Sequence, residues 1–266
     1  MKVIRVAING ALGRMGQEAT RAVAHEPGLK LVGAVEKEVV QHSLPLADVP
    51  DIVPLSSDLK SLLERCDPDV LVDFTNAETS IAAARIAIGE QVNVVIGTTG
   101  LSGENLTEIA ELCQVRKVGA VVAPNFSLGA ALLIYLSRLT ASFFDYAEII
   151  EMHHDKKVDA PSGTAIATAK AMSQAHAKPF IYHKAKKKVI SGTRGGQVDG
   201  IAIHSLRLPG FMAGQEVVFS GAGETLKLRH EAISRECYMP GVILAIKEVT
   251  KRKGLIYGLD ALLDLK

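Results

Sequence analysis

The densest cluster of chemically capable side chains lies in EIIEMHHDKKVDAPSGTA, residues 148–165. Two adjacent histidines, two lysines and two aspartates precede a Pro-Ser-Gly-Thr turn there. Imidazole and ammonium groups side by side can carry a proton to or from a bound molecule. Ser162 is placed to cap a helix, and the N–H groups of Gly163 and Thr164 would then point donors at an anion. Beside His153, His154 and Lys157, that helix start suits a carboxylate-bearing substrate with an acid close by. A metal centre is the competing reading of the histidine pair. Neighbours on a strand point to opposite faces, however, and no third ligand stands at a metal-binding spacing. No metal is expected.

A second cluster is the glycine turn in VAINGALGRMGQEA, where Gly10, Gly13 and Gly16 follow the first apolar run and open a helix. The G-x-x-G-x-x-G spacing is a variant of the dinucleotide fingerprint. Its glycines allow a tight turn, close approach of backbone to a pyrophosphate, and close helix–strand packing. Glu36 lies 20 residues beyond Gly16, at the end of the second apolar run. A carboxylate there can hydrogen-bond the adenine ribose hydroxyls of NAD. Lys37 beside it could attract the extra phosphate of NADP, so use of NADH, NADPH or both is expected. Gly97, Thr98 and Thr99 follow one later strand, and Ala123, Pro124, Asn125 and Phe126 follow another. Either segment could line the nicotinamide half of the cofactor.

These groups need a scaffold, and hydrophobic periodicity supplies one. Residues 3–8, 29–35, 69–74, 92–97 and 118–123 are short, nearly continuous apolar runs, as in strands buried on both faces of a parallel sheet. Helical patterns separate them over Arg14–His25, Asp58–Arg65, Thr79–Glu90 and Asn105–Arg116. The rhythm then changes. A helix is expected over Leu128–Phe143, a strand over 147–154 and a helix from Thr164 to His176. The Lys188–Glu231 stretch has an antiparallel, turn-rich texture. A helix over 239–252, with Pro240 in its first turn, and a strand at 255–259 return to the first style. The fold class is therefore α/β: a Rossmann-type parallel-sheet domain plus an inserted α+β domain with a mostly antiparallel sheet. The dinucleotide-binding domain is assigned 1–124 and 238–266, and the inserted domain 125–237.

Composition narrows the partners. The 266 residues carry 30 Lys plus Arg against 29 Asp plus Glu, a net charge of +1 that gives no reason to expect nucleic acid. No apolar run nears the ~18–20 residues of a membrane span, and no signal peptide is read at the start. Cys66, Cys113 and Cys237 form neither a disulfide framework nor a zinc motif, which suits thiols in a reducing cytosol.

HHDKKVDAPSGTA together with NGALGRMG resembles the dihydrodipicolinate reductase family. GTTG (97–100), APNFS (123–127), RGGQVDGIAIHSLRLPG (194–210) and HEAISRE (230–236) extend the likeness along the whole chain. The resemblance implies NAD(P)H-dependent reduction of 4-hydroxy-tetrahydrodipicolinate, a small cyclic dicarboxylate, in lysine and diaminopimelate biosynthesis, in the cytoplasm. It implies His153 as acid/base and Lys157 as proton donor. His154, Gly163 and Thr164 are implied as contacts to the substrate carboxylates. Gly10, Ala11, Leu12, Gly13, Arg14, Met15, Glu36, Gly97–Thr99 and Ala123–Phe126 would touch the cofactor. A homotetramer assembled through sheets of the inserted domain is implied as well, making 125–237 the substrate-binding and oligomerisation domain. Some members have an Arg after the D-F-T segment where this chain has Asn76, which leaves the NADH/NADPH preference open. Two other readings compete. Tyr182 and Lys186 fit the Y-x-x-x-K pair of short-chain dehydrogenases, but that pair needs a helix, and Pro179 with a basic 183–188 stretch argues for a loop. A nucleotide-sensing regulator would need a DNA-binding element that neutral charge does not suggest.

Overall fold

The computed structural model describes residues 2–44, 52–187 and 189–265. Its chain divides into two compact units, Met1–Phe126 with Tyr238–Lys266, and Ser127–Cys237.

The first unit alternates strand and helix: β1 (Ile4–Asn9), α1 (Arg14–His25), β2 (Leu29–Val35), the two-residue β3 (Leu55–Ser56), α2 (Leu59–Cys66), β4 (Val70–Asp73), α3 (Ala77–Gly89), β5 (Asn93–Ile96), α4 (Gly103–Arg116) and β6 (Gly119–Val122). The second unit follows with α5 (Leu128–Ala141), β7 (Tyr146–His153), α6 (Gly163–Ala175), β8 (Gly196–Val198), β9 (Ile201–Arg207), β10 (Ala213–Gly221) and β11 (Glu224–Ala232). The chain then returns as α7 (Met239–Val249), β12 (Gly254–Tyr257) and the short α8 (Leu259–Leu262).

In the first unit seven parallel strands lie in the order β12-β6-β5-β4-β1-β2-β3. Because all are parallel, their carboxyl ends share one edge. The order reverses between β1 and β4, the switch point at which such sheets bind ligands. Val6, Ala7, Ile8, Val70, Leu71, Val72, Val94, Val95 and Ile96 are all buried, since helices cover both faces.

The second unit holds a five-stranded sheet, β11-β10-β7-β9-β8, antiparallel except for the β7–β9 pair. One face, with Ala147, Ile149, Val217, Phe219, Ile201 and Ile203, packs on Leu133 of α5 and on Ala165, Ala169 and Met172 of α6.

Element starts differ from the sequence pattern where capping decides. Asn76 accepts the Thr79 N–H and starts α3 at Ala77, two residues before Thr79. Ser102 and Asn105 form a capping box, so α4 starts at Gly103. The β-like stretch expected from Lys188 becomes strand only at Gly196, because Gly192 and Gly195 take positive φ and turn the chain. Lys188 itself lies outside the described residues. β7 ends at His153, so His154 is not on the strand as expected. β3, the 3₁₀ turn Arg235–Tyr238 and α8 are too short for periodicity to reveal.

Candidate functional site

In the first unit the glycine turn links β1 to α1. Gly10 has φ +77°, a left-handed conformation that only glycine takes without strain, and its N–H bonds Val35 O at 2.9 Å. A Cβ on Gly16 would lie 1.9 Å from Gly10 O, so α1 can approach β1 only with glycine there. Gly13 is the N-cap of α1 and supplies no side-chain hydrogen bond. The first-turn N–H groups, at Arg14 and Met15, are therefore left for an external acceptor, with the positive end of the helix dipole behind them.

Glu36 follows β2 and closes onto this turn. Its Oε2 accepts the Leu12 N–H at 3.0 Å, and its Oε1 accepts the Lys37 N–H at 3.0 Å. Ala11 is buried, whereas Leu12, Gly13, Arg14 and Lys37 are exposed. A bare helix start with a carboxylate at its rim fits the pyrophosphate and ribose of a nicotinamide dinucleotide.

Behind the turn sits a carboxylate that sequence reasoning missed. Asp73, at the end of β4, is 2% exposed. It accepts from Asn9 Nδ2 at 2.6 Å, Thr98 Oγ1 at 2.8 Å, Thr75 Oγ1 at 2.9 Å and Thr75 N at 3.1 Å. The Thr98 hydroxyl is thus engaged inward, while Thr99 is exposed. Phe126 is buried in an edge-on contact with Phe74, with ring centroids 6.2 Å apart. Ala123 is buried, Pro124 exposed and Asn125 intermediate. An acidic residue ending an otherwise apolar strand was the available signal for Asp73.

In the second unit β7 delivers His153 to its carboxyl end. Two residues earlier, and so on the same face, stands Glu151, with 0% exposure. Glu151 Oε2 is 2.6 Å from His153 Nδ1. Arg207, opposite His153 in the β7–β9 register, reaches Glu151 through both terminal nitrogens, at 2.7 and 3.0 Å. Arg207 also holds the carbonyl of Asp159 at 2.7 Å. Ser162 N–H points to Glu151 Oε1 at 3.3 Å, and Ser162 Oγ caps α6 by accepting from Ala165 N. Burial alone would raise the Glu151 pKa. Hydrogen bonds from His153, Arg207 and Ser205, with the charge of Arg207, outweigh it and hold the carboxyl down to about 2.

Gly163 and Thr164 begin α6, and their N–H groups precede the first intrahelical bonds. Lys157 Nζ pairs with Asp159 at 2.7 Å. His154, just beyond the strand, is exposed. Tyr182 lies in an irregular segment with its hydroxyl toward Arg194 O, so it shares no helix face with Lys186. Among the described residues no cluster of three or more His, Cys, Asp or Glu could hold a metal ion. The three cysteines are free, with Cys66 and Cys113 buried.

Comparison with known proteins decides the family. The model for the N-terminal part of dihydrodipicolinate reductase matches residues 4–126, and the model for the C-terminal part matches 129–263. This chain belongs to the dihydrodipicolinate reductase family. A 4-hydroxy-tetrahydrodipicolinate reductase of Dehalococcoides mccartyi is 49% identical over 265 residues, covering 100% of each chain. Another, from Moorella thermoacetica, is 47% identical over 267 residues, covering 98% of each. A dipicolinate-bound dihydrodipicolinate reductase from Paenisporosarcina sp. TG-14 matches in structure with a TM-score of 0.87. It is 39% identical, and the match covers 98% of this chain and 99% of that one. As a dihydrodipicolinate reductase the chain is an oxidoreductase, and its family uses a nicotinamide cofactor.

Proposed function

We propose that this chain reduces 4-hydroxy-tetrahydrodipicolinate to tetrahydrodipicolinate with NADH or NADPH, in the cytoplasmic route to diaminopimelate and lysine. The observation that carries this reading is the shared attachment of His153 and Ser162 to Glu151, which sets an imidazole beside the anion-accepting start of α6.

Gly163 and Thr164 donate backbone N–H groups to one ring carboxylate, and His154 adds a second contact. Together they fix the ring before reaction. Loss of the 4-hydroxyl as water leaves a conjugated imine whose C4 is electrophilic. When bound, the reduced nicotinamide supplies the hydride that C4 accepts. The electron pair moves onto the ring nitrogen as an enamine, and C3 takes a proton from Lys157 or His153. In the other unit, the N–H groups of Arg14 and Met15 hold the pyrophosphate. Glu36 takes the ribose hydroxyls of NADH, and Lys37 leaves the extra phosphate of NADPH acceptable. Thr99 and Pro124–Asn125 line the nicotinamide end. By this assignment 1–124 with 238–266 binds the dinucleotide, and 125–237 binds substrate.

The same inserted unit assembles the chain into a homotetramer. Ile150, Leu206 and Val218 lie on the sheet face turned from α5 and α6, and each is only half-buried in a single chain. No helix among the described residues is long and apolar enough to cross a membrane.

A coupled assay tests the function. Freshly made 4-hydroxy-tetrahydrodipicolinate, generated in place by the synthase that forms it, is supplied with NADH and NADPH in separate reactions, and absorbance of the reduced cofactor is followed. Oxidation of at least one cofactor that depends on the synthase product is expected; no oxidation of either removes the reading.

A further inference from the structure

The geometry points to Glu151 as a positioning residue that fixes the ring tautomer of His153, so that Nε2 is the nitrogen through which its proton passes. This rests on the proposed function for its chemical meaning, but its structural content stands alone.

Glu151 has no exposure to solvent, and its carboxylate is enclosed by donors. Both Arg207 terminal nitrogens, the Ser162 N–H and His153 Nδ1 converge on its two oxygens. An ionised carboxylate only accepts. At 2.6 Å, therefore, Nδ1 must carry a hydrogen and donate it to Oε2. A neutral imidazole has one ring hydrogen, so Nε2 is left as the basic atom. A charged imidazolium keeps Nδ1–H on Glu151 and gives up the hydrogen at Nε2. Free histidine mixes its two neutral forms, and fixing one removes a rearrangement from each proton transfer.

The arrangement also ties position to protonation. Arg207 prevents Glu151 from taking a proton itself and holds the Asp159 carbonyl, anchoring the loop that bears Lys157. Ser162 carries the same carboxylate to the start of α6. One buried group thus sets the ring orientation, the loop and the anion-accepting helix start together. A structural salt bridge alone would need only Glu151 and Arg207. The 2.6 Å bond to His153 is what gives it a role in the chemistry.

The test reads the tautomer directly in the full chain. Protein labelled with ¹⁵N-histidine is studied by long-range ¹H–¹⁵N correlation, with the pH raised until the ring is neutral; His153→Asn assigns the signals by their loss. The neutral ring should show Nδ1 protonated and Nε2 bare. In Glu151→Gln the Nε2–H form should appear, with kcat down about 100-fold, the scale of a lost acid–base group, and cofactor KM within twofold. Protonation at Nε2 in the parent chain overturns the proposal, even if Glu151→Gln fails to fold. So does a folded Glu151→Gln with unchanged tautomer and kcat. A chain with the Nδ1–H form but no turnover of the synthase product would retain this inference and lose the proposed function.

Discussion

Lys157 and Asp159, two residues apart in the loop after β7, are joined by an ion pair of 2.7 Å between Nζ and Oδ1. The hydrogen bond from Lys157 holds the Asp159 carboxyl below its usual range. Asp159 is half exposed, and such surface pairs contribute about 0–1 kcal/mol to folding. Lys157→Ala should therefore barely move the thermal midpoint. Loss of a general acid should lower kcat by about 10²–10⁴-fold. Calorimetry beside steady-state kinetics checks both, and a raised KM with normal kcat would reduce Lys157 to a binding group.

His153→Ala should lower kcat on the same scale. If His153 and Lys157 act as one unit, the double variant should be little worse than the poorer single variant. Fully additive losses would assign them separate steps.

The helix start of α6 can be probed without touching a side chain. Gly163→Pro deletes one N–H at the first helical position, where proline is compatible with the helix, and a Cβ there meets nothing within 4 Å. A hydrogen bond to a charged group is worth about 1.5–3 kcal/mol, so substrate KM should rise about 10-fold or more. Pyridine-2,6-dicarboxylate should compete with substrate in the parent chain and lose affinity in the variant. Absence of inhibition at millimolar levels would contradict a dicarboxylate site.

Glu36→Ala should raise KM for NADH more than for NADPH, because only the former depends on the ribose hydrogen bonds. The variant also frees the Leu12 N–H, so both cofactors should weaken somewhat. An equal loss for both would leave Glu36 with the turn alone.

Acid stability should report on Glu151. The fold holds its carboxyl down to about 2, below the ordinary glutamate value of 4.5, so its stabilising contribution is present above pH 4.5 and is lost as pH falls toward 2. The shift corresponds to roughly 3 kcal/mol. Urea midpoints measured between pH 5 and 2 should fall steeply in the parent chain and less so in Glu151→Gln.

Much of this molecule is written in local pattern. The continuous Val and Ile runs of β1, β4 and β5 mark strands covered on both faces, because a strand with one wet face must alternate. Gly10, Gly13 and Gly16 announce a tight strand-to-helix turn through backbone sterics, and Ser162 announces the start of α6 through its capping oxygen. The spacing to Glu36 even anticipates a carboxylate beside that turn. What tertiary structure alone decided is who stands behind these groups. Glu151 and Arg207 are 56 residues apart and meet only because β7 and β9 pair in parallel with His153 opposite Arg207. Asp73 collects Asn9 and Thr98 only because β1, β4 and β5 lie side by side. Periodicity tells which face a residue occupies. The partner across the sheet depends on strand order and register, which are set by packing of the whole unit and not by any local run of residues.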